Sequence, residues 1–443
     1  MAASSTKDLD LLAYSLISQF LTQHNLTDTL ATLQTEAPAS IYDDLQKHRV
    51  PHKPLTAILE EYDLLTAQDQ LGSLSITQQR QQVKRDDDEL FALGRGRVPI
   101  EPSRVYDTIH LANIVAAATV TLPSNLFPAA ELAGPNVPVL VTASTDKTIR
   151  VSHKDSGKLL GVLDHQKAAC LALDFYPPDK RFLLTAGMNG SHHVADLTTE
   201  AVAQSFSDHA KYVVRALFSP DGAWFATGSY DRSVSIYKRT TDAGVIPPKF
   251  EKVHTAAFPG AVESLCFLPT ATDPPTLVIG SRDSNYLNYL TLDPSRAYPT
   301  TRHNMNANGD DWISFTAMDL RPSPTGHHLA CYTDSKAGRI IIFRTHSTIQ
   351  ARNLWGVVAD GFSQPRCCWD SSGRLVFATS DDMKVYVFDV PSGQVVKRLE
   401  GHTGVVRGLG YDGERQQLVS CSFDRTVRVW ETSEDGDEGS ISR

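Results

Sequence analysis

The 443-residue sequence predicts a mainly β protein made of repeated four-stranded units, preceded by a small α-helical region. Three observations lead to this prediction. Short apolar runs separated by Gly-containing or polar turns recur through the last three quarters of the chain, which is typical of antiparallel strands. A turn motif centred on Asp recurs at intervals of 42 to 52 residues. The first 36 residues instead space their apolar side chains by three and four, as an amphipathic helix does.

The clearest repeat spans residues 401–430 and reads GHTGVVRGLGYDGERQQLVSCSFDRTVRVW. Asp424 falls in a turn, where its carboxylate can accept backbone N–H groups. His402 can bridge that carboxylate to the hydroxyl of Ser420, and Trp430 brings an indole N–H that needs a partner when buried. We interpret these four side chains as a structural staple rather than a Ser–His–Asp catalytic site, because parts of the set recur in other repeats.

This stretch resembles a WD40 repeat, in which one copy forms one four-stranded blade of a β-propeller. The turn motif recurs at six earlier positions, which are Asp146, Asn189, Asp231, Asp283, Asp334 and Asp382. Seven copies predict a seven-bladed WD40 β-propeller over residues 104–431. After Trp430 only a polar, acidic stretch remains, so we expect residues 103–109 to supply the outer strand of the last blade and hide its open edge.

The N-terminal pattern predicts a helical hairpin over residues 1–40, and its apolar stripe consists of Leu16, Ile17, Phe20, Leu21, Leu26, Leu30 and Leu33. The spacing resembles the LisH (lissencephaly-type homology) motif, a small helical dimerisation element. The chain has Asn25-Leu26 where that family usually has Gly-Tyr, and Asn can adopt the left-handed conformation that ends a helix. The resemblance implies a homodimer formed through these helices. The alternative is that the hairpin packs on its own propeller or on a partner.

The remaining segments are shorter and less regular. Residues 41–78 predict a helical spacer that begins near Pro54, residues 79–103 a polar linker, and residues 432–443 an acidic disordered tail. The six cysteines show no metal-binding spacing and no compact disulfide framework, and we expect them to be reduced core residues. Since no signal peptide or membrane-length apolar run is visible, we expect a soluble protein of the cytoplasm, the nucleus or both.

No residue pattern indicates catalysis, a metal site or a cofactor. The sequence lacks a nucleophile elbow, a phosphate-binding Gly-rich loop and a His/Cys ligand set. His192 and His193 are adjacent in a predicted strand and should point to opposite faces, which disfavours joint metal ligation. The net charge of −9 makes nucleic acid an unlikely principal partner. We therefore expect a non-enzymatic protein that binds other proteins.

The expected binding surface is one face of the propeller, around the central channel. The residue before each turn Asp projects near the channel in the family that this chain resembles, and three inner strands carry an Arg. The candidate partner-binding residues are Met188, Tyr230, Arg282, Phe423, Arg215, Arg366 and Arg407. Aromatic and Arg side chains are common anchors of protein interfaces. We expect a scaffold or adaptor subunit of a multiprotein complex; the alternatives are a substrate receptor of a ubiquitin ligase and a nuclear transcription or RNA-processing subunit.

Overall fold

The structure, a computed structural model, describes residues 17–18, 20–22, 26–36, 90, 96–99, 101–127, 134–269, 274–359 and 364–431. The chain divides into two compact units, Met1–Lys84 and Arg85–Arg443. The predicted spacer over 41–78, the predicted tail over 432–443 and Leu16 lie outside the described residues.

The first unit contains two helical segments where the apolar spacing predicts them. Residues 17–18 and 20–22 are helical, and helix α1 spans Thr27–Glu36. The amide of Leu26 donates to the carbonyl of Leu21 at 2.9 Å, a six-to-one hydrogen bond of the kind that closes a helix end. Leu21 is buried, whereas Ile17 and Leu26 are exposed. The LisH resemblance and the dimerisation it implies stay predictions.

The second unit consists of seven antiparallel four-stranded sheets, which we number as blades from the first complete sheet. Blade 1 contains β2 (Ile114–Pro123), β3 (Asn136–Ser144), β4 (Ile149–His153) and β5 (Leu159–Leu163). Blade 2 contains β6 (Cys170–Phe175), β7 (Phe182–Gly187), β8 (His192–Asp196) and β9 (Val202–Phe206). Blade 3 contains β10 (Val213–Phe218), β11 (Trp224–Ser229), β12 (Ser233–Arg239) and β13 (Phe250–Ala257).

The remaining blades follow in chain order. Blade 4 contains β14 (Val262–Phe267), β15 (Thr276–Ser281), β16 (Tyr286–Thr291) and β17 (Thr300–Asn304). Blade 5 contains β18 (Ala317–Pro322), β19 (His328–Thr333), β20 (Arg339–Arg344) and β21 (Gln350–Trp355). Blade 6 contains β22 (Cys367–Trp369), β23 (Leu375–Thr379), β24 (Val385–Asp389) and β25 (Gln394–Leu399). Blade 7 contains β26 (Val406–Asp412), β27 (Gln417–Ser422), β28 (Val427–Glu431) and β1 (Glu101–Tyr106).

The N-terminal strand completes the last blade, as the sequence predicts. Strand β1 pairs antiparallel with β28, with Arg104 opposite Val429 and Tyr106 opposite Val427. The strand spans Glu101–Tyr106 rather than residues 103–109, because its first residues already pair with the end of β28 and the pairing ends where Tyr106 lies opposite Val427, the first residue of that strand. The ring is also fastened between blades 1 and 7 by Lys154, whose ammonium lies 2.5 Å from the Asp412 carboxylate in a buried ion pair.

The core lies between neighbouring blades rather than in the centre of the ring. Between blades 2 and 3, Phe182, Phe225, Tyr237 and Phe250 pack together, and the rings of Phe225 and Tyr237 stack 4.2 Å apart. Comparable clusters join the other blades. Aromatic residues thus fill space in blades that lack the Trp of the last repeat, so that packing holds the sheets together there.

The turns that carry the repeated Asp share one backbone conformation. The residue after the turn Asp is left-handed in four blades, with φ of 70° at Lys147, 71° at Arg232, 66° at Met383 and 68° at Arg425. The turn of blade 4 holds one residue more than that of blade 1, because Gly280 pairs with Leu287 whereas Ala143 pairs with Ile149. Leu287 therefore takes the buried position that the repeat spacing assigns to Tyr286.

Part of the predicted polar linker packs on the propeller. Leu90 is fully buried in the apolar cluster that joins blades 5 and 6, and Pro99 is also buried. A Cβ on Gly96 would lie 2.6 Å from Cγ of Leu375, so only glycine allows this close approach. Gly96, within the segment predicted to be a polar linker, thus lies close to blade 6.

Candidate partner-binding site

The four residues interpreted as a staple form one hydrogen-bonded chain in blade 7. His402 Nδ1 lies 2.8 Å from Asp424 Oδ2, and His402 Nε2 lies 2.8 Å from Ser420 Oγ. The indole Nε1 of Trp430 donates to the same hydroxyl at 2.9 Å. Burial alone would raise the pKa of Asp424, but hydrogen bonds from Thr426, Thr403 and His402 outweigh it and lower that pKa to about 2. The arrangement ties the loop before β26, the strands β27 and β28 and the turn between those two strands together inside one blade.

Related chains occur in blades 1 and 3. His110 bridges Asp146 and Thr142, and His209 bridges Asp231 and Thr227. In blade 2, Gln166 Nε2 donates to Thr185 Oγ1 at 2.7 Å, so an amide takes the place of the imidazole. This repetition in separate blades supports a structural role and argues against a catalytic triad.

The candidate binding residues lie in loops or near the start of an inner strand, all at one end of the ring. Inner strands of neighbouring blades contact one another around a central channel. The inner strand of each blade is its first strand in chain order, except that in blade 7 it is β26. Because neighbouring strands are antiparallel, the inner strand begins at the end of the blade where the next strand finishes and turns into the one after it. In blade 1, for example, Ile114 at the start of β2 pairs with Ser144 at the end of β3. The repeated Asp turns and the loops between blades therefore share this end, which we call the channel-mouth end.

Four of the candidate residues belong to a single network at the channel mouth. Glu263 accepts hydrogen bonds from Arg282 Nε at 3.0 Å and from the Tyr230 hydroxyl at 3.0 Å. That hydroxyl accepts a bond of 2.8 Å from the Gln364 amide, whose oxygen accepts a bond of 2.8 Å from Arg407 Nη2. The ring centre of Phe423 lies 5.1 Å from the Arg407 guanidinium. The members of this channel-mouth network are Tyr230, Glu263, Arg282, Gln364, Arg407 and Phe423.

The network connects blades 3, 4, 6 and 7 across the channel. Sequence reasoning missed Glu263 and Gln364, although Glu263 offered a signal. Glu263 and Arg407 occupy the same irregular position in the pairing of their inner strands, between Val262 and Ser264 in one and Val406 and Gly408 in the other. Burial and the neighbouring Glu263 charge raise the pKa of Tyr230 to about 12, so its hydroxyl keeps its proton at neutral pH.

The other three candidate residues are placed differently. Arg215 is buried in the channel wall, where its Nη2 donates to the Met318 carbonyl at 2.7 Å and pairs with Asp319 at 3.1 Å. Arg366 also lines the channel, and its Nη1 donates to the Pro365 carbonyl at 3.0 Å. Met188 is half-buried in the Asn189 turn of blade 2. Of the seven, the most exposed are therefore Arg282 and Phe423.

Exposed apolar side chains concentrate at the channel-mouth end. Leu111 is 85% exposed and Trp312 74% exposed, both in loops between blades. Eight of the thirteen exposed large apolar residues that the structure describes in the second unit lie at this end, namely Leu111, Tyr212, Trp312, Ile313, Trp355, Val358, Met383 and Phe423. At the opposite end the corresponding residues are Leu159, Val245 and Ile246.

Within the described residues, no group of His, Cys, Asp and Glu side chains is arranged to hold a metal ion. His192 is buried against Phe206, with ring centres 5.0 Å apart, while His193 lies on the other face of the strand near His165. The two imidazoles therefore do not converge. No helix in the described part of the chain is long and apolar enough to cross a membrane.

Comparison with known proteins agrees with this architecture. Residues 201–238, 363–389 and 393–431 match the family described as WD domain, G-beta repeat. The chain therefore contains WD40 repeats, and its fold is a seven-bladed WD40 β-propeller.

Two of the three relatives described next are named as subunits of larger assemblies. The chain is 32% identical to a chromatin assembly factor 1 subunit FAS2 homolog of rice over 28% of this chain and 25% of that protein. It is 35% identical to the periodic tryptophan protein 2 homolog of fission yeast over 19% of this chain and 10% of that protein. It is 23% identical to a guanine nucleotide-binding protein subunit beta of potato over 64% of this chain and 78% of that protein. The chain thus spans a quarter or less of the length of the first two relatives.

Proposed function

We propose that the protein is a non-enzymatic scaffold subunit of a multiprotein complex, and that a partner protein docks on the channel-mouth end of the propeller. The observation that carries this proposal is the concentration of exposed apolar side chains at that end, because such patches on a soluble domain mark interaction surfaces. The channel-mouth network supplies polar and aromatic groups at the centre of the same surface.

The relatives support the same kind of role. The rice relative is named as a chromatin assembly factor subunit, and the potato relative as a subunit of a guanine nucleotide-binding protein. We therefore favour a nuclear complex as the setting. The structural staples also favour partner docking over catalysis, because their His and Asp side chains hydrogen-bond to one another within single blades.

A pair of matched double variants tests the docking surface. Leu111→Ser with Trp312→Ser removes exposed apolar area at the channel-mouth end, and Leu159→Ser with Val245→Ser does so at the opposite end. Tagged forms are purified from the source cells under mild conditions and the retained proteins are quantified. We expect the first variant to lose its partners and the second to keep them. Equal retention by both variants would contradict the proposal.

Self-association through the N-terminal helices is the second part of the proposal. Ile17 and Leu26 are exposed apolar residues in the first unit, and a short helical pair gains stability by covering such groups. Two copies would present two propellers and raise avidity without new contacts. The full chain is compared with its Ile17→Ser, Leu26→Ser variant by light scattering. A wild-type mass of about twice the chain mass that halves in the variant is expected; a monomeric wild type would refute dimerisation.

A further inference from the structure

The central channel contains a cavity of about 260 Å³ with more positive than negative side chains. A cavity of roughly 150 Å³ can hold a benzene molecule, so this volume has room for a small ligand. The basic and acidic side chains that line it are four guanidinium and two carboxyl groups, belonging to Arg215, Arg321, Arg366, Arg407, Asp174 and Asp319.

The carboxyl groups do not neutralise this charge. Asp319 is fully engaged, because it pairs with Arg215 at 3.1 Å and Arg321 at 3.3 Å and accepts the amide of Cys367 at 2.9 Å. Asp174 accepts the amide of Phe218 at 2.7 Å, and burial raises the pKa of its carboxyl group to about 7. At neutral pH it therefore carries only part of a negative charge.

Two guanidinium groups consequently have no carboxylate partner in the part of the chain that the structure describes. Arg366 donates to the Pro365 carbonyl, and Arg407 donates to the Gln364 amide oxygen. The Nε atoms of Arg215 and Arg407 are buried and donate to no described group. Burial lowers the pKa of Arg366, and the nearby charge of Arg215 lowers it further. A half-buried guanidinium group without a carboxylate partner is costly unless an anion accompanies it.

We propose that the channel binds a phosphate-type oxyanion between the guanidinium groups of Arg366 and Arg407. Arg matches phosphate because its planar fork can donate two parallel hydrogen bonds to two oxygens. The anion would be either a free phosphate compound or a phosphate group on the docked partner. The oxyanion site does not rest on the proposed partner docking, since the excess charge is a property of this chain alone.

Pyrophosphate is a suitable probe for the full-length protein. Its affinity is measured by calorimetry, and the melting temperature is compared with that in NaCl of equal ionic strength. We expect one site per chain and a higher melting temperature in pyrophosphate. Arg366→Gln should weaken binding at least tenfold, a loss of about 1.4 kcal/mol. Lys211→Gln, which removes an exposed charge at the same end, is the matched control and should bind normally.

The stability of Arg366→Gln in NaCl alone gives a second, independent readout. If Arg366 serves to bind an anion, its replacement removes a half-buried charge that has no carboxylate partner, and the melting temperature should not fall. A lower melting temperature combined with unchanged pyrophosphate affinity would overturn the proposal, as would a wild-type protein that pyrophosphate stabilises no more than NaCl. Should Arg366→Gln not fold, Arg407→Gln serves in its place, and normal binding by that variant would equally refute the site.

Two further measurements distinguish the source of the phosphate. If pyrophosphate releases a captured partner and the isolated chain contains no phosphate, the phosphate group belongs to the partner. One equivalent of phosphate in protein purified alone from the source cells assigns it to a free ligand. Because Leu111→Ser with Trp312→Ser leaves the channel intact, that variant should still bind pyrophosphate even when it loses its partners.

Discussion

The staple of blade 7 predicts a measurable loss of stability when its imidazole is removed. In His402→Ala, the carboxylate of Asp424 and the hydroxyl of Ser420 each lose one hydrogen bond of 2.8 Å. A bond to a charged group contributes about 1.5 to 3 kcal/mol, and one between neutral groups about 1 kcal/mol. Asp424 retains bonds from Thr403 and Thr426, and Ser420 retains Trp430, which limits the loss. We therefore expect the free energy of unfolding to fall by about 3 kcal/mol.

Urea denaturation followed by tryptophan fluorescence measures this change through the midpoint and slope of the transition. His153→Ala is the matched control, because His153 is half-exposed and bonds only to nearby Ser156. We expect it to change stability by less than about 0.5 kcal/mol. A double-mutant cycle between His402 and Ser420 isolates their coupling. If His402→Ala is no more destabilised than His153→Ala, the staple does not stabilise the blade as described.

Three other predictions concern stability and reactivity. Lys154→Met should destabilise the ring by about 3 kcal/mol because it leaves the buried Asp412 carboxylate unpaired, and a urea titration would contradict this if the midpoint did not move. Burial lowers the pKa of His402 below its ordinary 6.5 despite Asp424, so protonation favours unfolding. The melting temperature should thus be constant above pH 6.5 and fall below it. The assignment would be refuted if this fall with decreasing pH persisted in His402→Ala and in the corresponding variants of the staple histidines of blades 1 and 3. Burial raises the pKa of Cys170 and Cys421 to about 12, so iodoacetamide should modify them only after unfolding; rapid labelling of the native protein would disprove this.

The fold was predictable because each blade repeats the same local chemistry. The Asp turn, the alternating apolar residues and the Trp430 signature identify strands without long-range information. The closing strand was predictable for a physical reason, since an unpaired outer edge on the last blade would be exposed. Its exact start at Glu101 was not, because strand ends depend on the partner strand, here β28.

The candidate site was only partly predictable. Positions near the turns indicated Tyr230, Arg282 and Phe423, and the position that Glu263 shares with Arg407 offered a signal for Glu263. Nothing in the local sequence could show that Gln364 joins them. Gln364 is 134 residues from Tyr230 along the chain, and only closure of the ring brings the two together. Leu90 was missed for a similar reason, because its polar surroundings in sequence hide a contact made with distant blades.

The network also determines which substitutions can test docking. Replacing Tyr230 or Arg282 would remove a partner from the buried carboxylate of Glu263, so lost binding could arise from altered folding. Phe423, Leu111 and Trp312 are exposed and can be changed with less risk to the fold.

Cross-linking of the native complex with a lysine-reactive reagent, read out by mass spectrometry, tests the central claim most directly. The channel-mouth end carries the exposed lysines Lys147, Lys167, Lys211 and Lys336, and the opposite end carries Lys158, Lys180 and Lys249. We expect cross-links to partner proteins from the first set and few from the second. Cross-links confined to the second set would contradict docking at the channel mouth.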